Sequence, residues 1–439
     1  MAASMVERIG KYEIKHLLGS GATGSVYLAR DPFAERDVAI KVLDTPAADP
    51  EEARRQLRFF QNEASLAGKL RHPHIVSIFD AGVETVDGKD LRYLVMELVE
   101  GTSLAPLCEP GELLTLPRIA QIAYKCCKAL EYANTVGVVH RDIKPANIMI
   151  KGDYDIRVSD FGAAQLARAD VTQVSGVGSP AYMSPEQIRG EEIDFRSDMF
   201  SLGGVLFHML TGYKPFNGGT AYELMEAILT ADPPAPSDLR QGLPREIDAV
   251  VRRALGKTRD SRFASWEEFA AALEPMLAAE SDRDNTLSDV EEYNAMRRLA
   301  FFRLFSDSEL WEVVRVGRCS KYPAGSVLIS EGEEDDHIYV VATGLLKVTQ
   351  RGKLLNAVSP GECVGEMAYA RRSSTVRSAT VTAVEPSWTL SLRVADLDGF
   401  SEPCRGRFTE AFLSIMADRI SMLGGRLLAV LQEQKIGLV

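Results

Sequence analysis

The segment Gly19-Ser20-Gly21-Ala22-Thr23-Gly24-Ser25-Val26 limits the folds open to this chain more than any other. Its spacing is G-x-G-x-x-G-x-V, and glycines at such positions let backbone N–H groups approach a phosphate with no Cβ in the way. A dinucleotide-binding fold runs a loop of this kind into a helix. Here the loop runs into Val26-Tyr27-Leu28-Ala29, which reads as a strand. Residues 12–30 and 37–43 are therefore expected to be strands around a glycine turn. Seventeen residues after Gly24 stands Lys41, at the end of Val38-Ala39-Ile40-Lys41. From that strand its ammonium can reach the same phosphates, and Glu63, on the next predicted helix, can hold it in place.

Farther along, the texture changes twice. A charged amphipathic stretch from Pro50 to Leu70 predicts a helix, and strand-like runs follow at Ile75–Asp80 and Leu91–Leu98. From Leu116 the apolar spacing of Ile119, Ile122, Ala123 and Cys126 is helical, and this phase lasts to Ala264–Leu277. Residues 278–298 are polar and acidic before they regain apolar character, and read as a linker becoming a helix. Beyond them come short alternating runs separated by Gly325, Gly332, Gly344 and Gly352, the pattern of a β-barrel or jelly roll. After Pro403 the chain turns helical again. A length of 439 residues suits two or three such domains.

Charge narrows the partners. Lys and Arg number 50 against 62 Asp and Glu, a net charge of −12. That balance disfavours nonspecific binding to nucleic acid or an anionic membrane, so neither is expected as a partner. The start of the chain lacks an apolar core of signal-peptide length, and no run of about 18 apolar residues exists to span a bilayer. The six cysteines form no C-x-x-C pair and read as small buried thiols. The expected location is the cytoplasm. The oligomeric state is not legible.

The chemistry becomes specific at His140-Arg141-Asp142-Ile143-Lys144-Pro145-Ala146-Asn147, followed by Asp160-Phe161-Gly162. Carboxylates and an amide are hard oxygen ligands suited to magnesium. With the glycine loop, Lys41 and Glu63, these motifs appear in the order of the eukaryotic-type Ser/Thr protein kinases, which residues 12–277 resemble. Gly-Ser-Pro-Ala-Tyr-Met-Ser-Pro-Glu-Gln at 178–187 resembles the bacterial branch. The resemblance implies ATP and Mg2+ as cofactors and protein hydroxyls as substrates. It casts Asp142 as the group that accepts the hydroxyl proton and Lys144 as the cation that neutralises the moving phosphoryl group. Asn147 and Asp160 would bind magnesium, while Lys41, fixed by Glu63, would hold the phosphates. Gly19, Ser20, Gly21, Gly24, Val26 and Ala39 would surround ATP, with backbone bonds to adenine at Glu97 and Val99. Asp198 would brace the catalytic loop, and Glu186 would pair with Arg262. Arg141, beside Asp142, implies switching by a phosphate on Thr172 or Ser175.

Residues 300–400 resemble cyclic-nucleotide-binding domains through Phe301-Phe302-x-x-Phe305, Tyr322-Pro323-Ala324-Gly325 and Gly344-Leu345-Leu346-Lys347-Val348. The site motif is Gly365-Glu366-Met367-Ala368, with Arg377-Ser378-Ala379-Thr380-Val381-Thr382-Ala383 beginning eleven residues after Glu366. By this resemblance Glu366 would accept the ribose 2′-hydroxyl and Arg377, rather than Arg371 or Arg372, would meet the cyclic phosphate. Gly365, Ser378 and Ala379 would complete the site. The alternative is a retained fold with an empty pocket, in which Glu366 and Arg377 merely pair. By the same resemblance the nucleotide would be cAMP or cGMP, and the tail helices would close over its base.

Together these readings imply an α+β chain: a bilobal protein-kinase fold followed by a β jelly roll with flanking helices. The expected boundaries are 12–277 for the kinase domain, 278–299 for the linker, 300–400 for the roll and 401–439 for its C-terminal helices. The implied function is a Ser/Thr kinase regulated by a cyclic mononucleotide. A constitutive kinase with a ligand-free docking or dimerisation module and a catalytically silent nucleotide-sensing scaffold are the alternatives.

Overall fold

Alternation of apolar residues over the first hundred positions builds an antiparallel sheet in the order β1-β2-β3-β4-β6-β5. Its strands are β1 (Arg8–Ile9), β2 (Tyr12–Gly21), β3 (Gly24–Asp31), β4 (Arg36–Val42), β5 (Ile78–Val86) and β6 (Lys89–Glu97). The computed structural model describes residues 7–21, 24–43, 57, 60–61, 63–86, 89–152, 154–161, 180–277, 289–371 and 376–433. The chain divides into two compact units, Met1–Glu280 and Ser281–Val439. Tyr12, Ala29, Val38, Ile40 and Val95 form a buried cluster on one face of the sheet. Gly24 faces Gly21 across the β2–β3 turn with φ +139°, and a Cβ there would sit 2.1 Å from the Val42 carbonyl oxygen. Only glycine fits that approach.

Two sequence expectations shift. The strand placed at Ile75–Asp80 begins at Ile78. Ile75 instead forms a parallel bridge to Val158, and the Val76 N–H donates to the Val158 carbonyl at 2.9 Å. An apolar run has no alternation to say which neighbour it pairs with, and here its first residues join the second lobe. The helix placed from Pro50 to Leu70 falls partly outside the described residues, of which Leu57, Phe60 and Gln61 are helical. Glu63–Ser65 are helical, and the chain turns from Leu66.

The second lobe is mainly helical. A small sheet of β7 (Thr102–Ser103), β8 (Ile148–Lys151) and β9 (Asp155–Val158) lies beside α1 (Leu116–Thr135). Helices α2 (Pro185–Arg189), α3 (Phe195–Thr211), α4 (Ala221–Thr230), α5 (Pro236–Leu239), α6 (Glu246–Ala254) and α7 (Trp266–Leu277) follow. Helix α3 is buried from Ser197 to Thr211, the mark of a central core helix rather than an amphipathic surface one. Its ends are set by Asp194, which accepts the Arg196 N–H, and by left-handed Gly212. Each large apolar side chain it buries is worth about 1.5–3 kcal/mol, so this helix is a fixed platform under the 140–147 loop.

The C-terminal unit begins its described part with α8 (Asp289–Arg297) and α9 (Asp307–Val316), the latter started by a Ser306–Glu309 capping box. Strands β10 (Arg318–Tyr322), β11 (Val327–Ile329), β12 (His337–Thr343), β13 (Leu346–Gln350), β14 (Lys353–Val358), β15 (Cys363–Val364), β16 (Thr380–Ala383) and β17 (Ser387–Arg393) form two four-stranded antiparallel sheets. Their orders are β10-β17-β12-β15 and β11-β16-β13-β14. The four predicted turn glycines each lie between consecutive strands of this roll. Ile329, Tyr339, Val341, Leu346, Val358 and Val381 fill its core. A short α10 (Glu366–Arg371) interrupts the strands, and α11 (Glu402–Glu433) ends the described chain. Helix α11 is seated by aromatic contacts, with Phe408 5.0 Å from Phe305 and Phe412 5.5 Å from Phe301 between ring centroids.

Candidate functional sites

The first constellation forms where β4, β9 and the 140–147 loop meet. Lys41 projects from β4 with only 7% of its surface exposed. Its Nζ lies 2.6 Å from Asp160 Oδ1 and 3.4 Å from each Glu63 carboxylate oxygen. Burial opposes the Lys41 charge, yet Asp160 and Glu63 outweigh it and hold the ammonium above the usual lysine range. Burial pushes the Glu63 carboxyl up, with Lys41 opposing. Burial also works against the Asp160 charge, but there Lys41 wins and the carboxyl is held down. Three charges thus share one site, with one cation between two carboxylates.

Asp142 lies on the loop that follows α1. Its Oδ2 accepts from Lys144 Nζ at 2.7 Å and from Asn147 Nδ2 at 3.0 Å, and Asn147 also donates to the Asp142 carbonyl at 2.8 Å. The loop is braced from below by Asp198 of α3. Its two carboxylate oxygens accept the backbone N–H groups of His140 and Arg141, each at 2.7 Å. Burial pushes the Asp198 carboxyl up, against those hydrogen bonds and the nearby His140 and Arg141. Arg141 (φ +67°) and Asp160 (φ +61°) hold left-handed backbone conformations. Such conformations cost a non-glycine residue roughly 1–3 kcal/mol and gather at functional sites. The Arg141 guanidinium is notable in another way: Nε and Nη1 are buried with no hydrogen-bond partner among the described residues.

The remaining positions take their places around this centre. Gly19 faces Val26, and Ser20 Oγ lies 3.2 Å from Ser25 Oγ. Ala39 is buried and sits opposite Met96. Glu97 ends β6, and the Val99 carbonyl accepts the Gly101 N–H at 3.0 Å. The Glu97 side chain accepts from Arg157 Nε at 3.0 Å, a pair 60 residues apart that sequence reading missed. Arg262 reaches Glu186 through Nη1 at 2.6 Å and Nη2 at 2.8 Å, both residues being almost fully buried. Thr172 and Ser175 lie outside the described residues, as do Gly162 and Ser179.

The second constellation lies in the roll, around a cavity of about 120 Å³ lined by Val348, Val364, Gly365, Glu366, Arg377, Ser378, Ala379 and Arg419 among others. Gly365 has φ +89°, and a Cβ there would meet the His337 carbonyl oxygen at 2.5 Å and Arg377 Nη1 at 3.0 Å. Glu366 and Arg377, each 7% exposed, do not pair with each other, as the alternative of a pocket that binds no ligand would have them. Arg377 donates to Asp335 Oδ2 from Nε (3.1 Å) and Nη2 (2.7 Å), and also to the carbonyls of His337 and Gly365. Burial works against the Asp335 charge, but His337 and Arg377 prevail and hold its carboxyl down. Glu366 pairs with Arg419 of α11. Both partners, Asp335 and Arg419, lie about 40–50 residues away in sequence and carry no local motif, so nothing in the sequence pointed to them. The side chains of Arg371 and Arg372 lie outside the described residues.

Comparison with known proteins bears on both constellations. Residues 12–272 match the family described as protein kinase domain, and residues 319–402 match the cyclic nucleotide-binding domain. The serine/threonine-protein kinase PknB of Mycobacterium tuberculosis is 40% identical over 269 residues, 60% of this chain and 42% of that protein. PknB of Mycolicibacterium smegmatis is 39% identical over 288 residues, covering 64% and 45%. A probable serine/threonine-protein kinase of Streptomyces coelicolor is 38% identical over 274 residues, covering 61% and 40%. The chain thus spans less than half the length of these relatives. The crystal structure of a kinase-domain variant of M. tuberculosis PknI is 31% identical, covers 63% of this chain and 99% of that one, and has a TM-score of 0.49. Among the described residues no helix is long and apolar enough to cross a membrane. The chain belongs to the protein kinase family and carries a cyclic nucleotide-binding domain after its kinase domain.

Proposed function

We propose that this chain is a serine/threonine protein kinase that moves the γ-phosphoryl group of ATP to protein hydroxyls, and that cAMP or cGMP regulates it through the C-terminal roll. The observation that carries the first half is the convergence of Lys41, Glu63 and Asp160 with Asp142, Lys144 and Asn147. Phosphoryl transfer asks for positioning and charge neutralisation more than covalent chemistry, and this set supplies both.

The donors suit magnesium. The Asp160 side chain is 43% exposed, and Asn147 spends its amide nitrogen on Asp142, which leaves its oxygen as a hard ligand. Magnesium held by Asn147 and Asp160 would neutralise charge on the phosphates. Lys41, now balanced by Asp160, would turn to the α- and β-phosphates under the Gly19–Val26 loop, with Ser20, Gly21 and Gly24 at its tip. Adenine would lie against Ala39 and bond the backbone of Glu97 and Val99. Both side-chain bonds to Asp142 go to Oδ2, and we assign the other oxygen to the incoming hydroxyl proton. Lys144, 2.7 Å from Asp142, stands ready to offset charge on the moving group.

Arg141 supports regulation by phosphorylation. Its buried Nε and Nη1, without a hydrogen-bond partner among the described residues, suit a phosphate on Thr172 or Ser175, which brings about −1.5 to −2 charges. In the roll, Gly365, Glu366, Arg377, Ser378 and Ala379 surround one cavity. We assign Arg377 to the cyclic phosphate and Glu366 to the ribose. The domain limits we adopt are 12–277, 278–299, 300–400 and 401–439. Six free cysteines, five of them buried, suit a reducing cytoplasm. Protein substrates and a cyclic mononucleotide are the partners, with no nucleic acid and no membrane.

Radiolabelled phosphate incorporation tests the kinase reading. Asp142→Asn should lower it by about 10²–10⁴-fold, the usual worth of a positioned general base. Equal incorporation by both proteins would remove Asp142 from the reaction. A second reading, in which the roll is a ligand-free docking module, draws on the small size of its cavity. Failure of cAMP and cGMP to raise its melting temperature would favour that reading.

A further inference from the structure

A second cavity lies in the helical lobe and shares no residue with either constellation. It measures about 400 Å³, within the range of about 300–1,000 Å³ usual for ligand pockets. Its lining includes Asp232 and Pro233, which follow α4, Arg252 and Arg253 of α6, and Lys257 and Ser261 beyond that helix. Three cations thus meet one carboxylate. Arg253 is already engaged: its Nη2 lies 2.6 Å from Glu268 Oε1, and its guanidinium stacks 4.4 Å from the centroid of the Phe263 ring.

Arg252 and Lys257 differ. Among the described residues neither has a carboxylate at ion-pair distance. Arg252 is exposed, whereas Lys257 is half-buried. The Lys257 Nζ donates to the Ile228 carbonyl oxygen of α4 at 2.7 Å and sits 4.0 Å from the centroid of the Phe216 ring. A carbonyl and a ring face solvate an ammonium without neutralising it. Burial pushes the Lys257 ammonium down to about 8, against Asp232 and with help from Arg262. The cavity therefore holds a cation that lacks a counter-anion, with a second such cation at Arg252.

We propose that this cavity binds a phosphate monoester carried on a protein side chain. Such a group brings about −1.5 to −2 charges, which matches Arg252 and Lys257 together, where a carboxylate would match only one of them. Arg252 offers a planar fork to the phosphate oxygens, and Lys257 offers a point charge that has spent one of its three donors. A lone oxyanion would leave most of the 400 Å³ to water, so the ligand extends beyond its phosphate. The choice of a protein as carrier rests on the kinase reading, which makes phosphorylated hydroxyls the products of this chain. The oxyanion site does not rest on it. No bond is made or broken in the cavity: it holds a phosphorylated protein against the helical lobe.

The test follows acetylation of Lys257 in the full chain at pH 8 by a trace of acetic anhydride, mapped by mass spectrometry. The probes are N-acetyl-O-phosphoserine amide, N-acetylserine amide and inorganic phosphate, at ionic strength matched with sodium chloride. Only the free amine reacts, and an anion beside it favours the charged form about tenfold or more. The free fraction at pH 8 then falls from about half to about one tenth, a slowing of about fivefold. We expect phosphoserine amide to slow Lys257 at least that much, inorganic phosphate to slow it less and serine amide to have no effect. Lys321, an exposed lysine of the roll, should react at the same rate throughout. Arg252→Ala, an exposed position, should lose most of the protection. An unchanged Lys257 rate, or equal slowing of Lys321, overturns the proposal from the native chain alone, whatever becomes of the variant. Full protection in a folded Arg252→Ala overturns it as well. Protection by inorganic phosphate without protection by phosphoserine amide leaves a site for the free ion only, and overturns the assignment to a phosphorylated protein. No phosphoryl transfer enters this measurement, so its failure is separate from failure of the kinase reading.

Discussion

Asp198→Asn isolates the brace under the 140–147 loop, to which we assign the catalytic residues. The substitution keeps the shape of the side chain but replaces one acceptor oxygen with a donor. In the native chain two buried N–H groups, those of His140 and Arg141, each reach a separate carboxylate oxygen at 2.7 Å. An asparagine can accept only one of them, and its NH2 then faces the other. The change loses a hydrogen bond to a charged group, worth about 1.5–3 kcal/mol, and strands a buried donor at about 1–3 kcal/mol. The sum is about 2.5–6 kcal/mol, and the left-handed Arg141 gives the segment a ready way to relax. Only about 2.7 kcal/mol of it need fall on the transition state to slow transfer a hundredfold. ATP affinity should change less than about threefold, because the sheet and Lys41 do not touch Asp198. Steady-state phosphate transfer to a protein substrate, run beside fluorescent-nucleotide binding, measures both quantities. A variant that transfers within about fivefold of the native rate would refute the argument that this brace sets the loop.

Two further outcomes follow from buried charges. Arg262→Met should destabilise the kinase unit by about 3–5 kcal/mol, since it leaves Glu186 buried without its cation, and a shift in thermal midpoint below 1 °C would contradict this. In the C-terminal unit, burial pushes the Glu292 carboxyl up to about 7, against a hydrogen bond from Cys319 and aided by Asp289 and Glu291. The folded unit therefore keeps a proton that the unfolded chain releases near its ordinary value of 4.5. That contribution to stability is full below pH 4.5 and is lost as the pH rises through 7. Denaturation of the full chain between pH 5 and 8 should show this slope at the roll's transition, and Glu292→Gln should flatten it. Equal slopes in the two proteins would exclude Glu292 as the source.

Much of the architecture was legible because local pattern and final structure agree. The strand that leaves Gly24, the helical spacing from Leu116 and the glycine-punctuated runs after Tyr322 each carry their own periodicity. The start of β5 was not, because Ile75 and Val76 belong to an apolar run whose partner, Val158, lies some eighty residues on. The site divides along the same line. Lys41, Asp142, Asn147, Glu366 and Arg377 sit in short motifs whose spacing is itself informative. Asp335, Arg419 and Arg157 owe their positions to tertiary packing, and no periodicity or motif marks an isolated charge of that kind. The alternative of a retained fold that binds no ligand would have Glu366 and Arg377 merely pair; instead each has a partner that the sequence did not mark.

Phosphate transfer by the full chain with Mg-ATP, with and without cAMP or cGMP, beside Arg377→Ala, tests the account most directly. The account predicts that one nucleotide changes the rate of the native chain by roughly 5–150-fold, the usual range of coupling between two sites, and leaves Arg377→Ala unchanged. A rate that neither nucleotide alters, in a chain that transfers phosphate well, would contradict it.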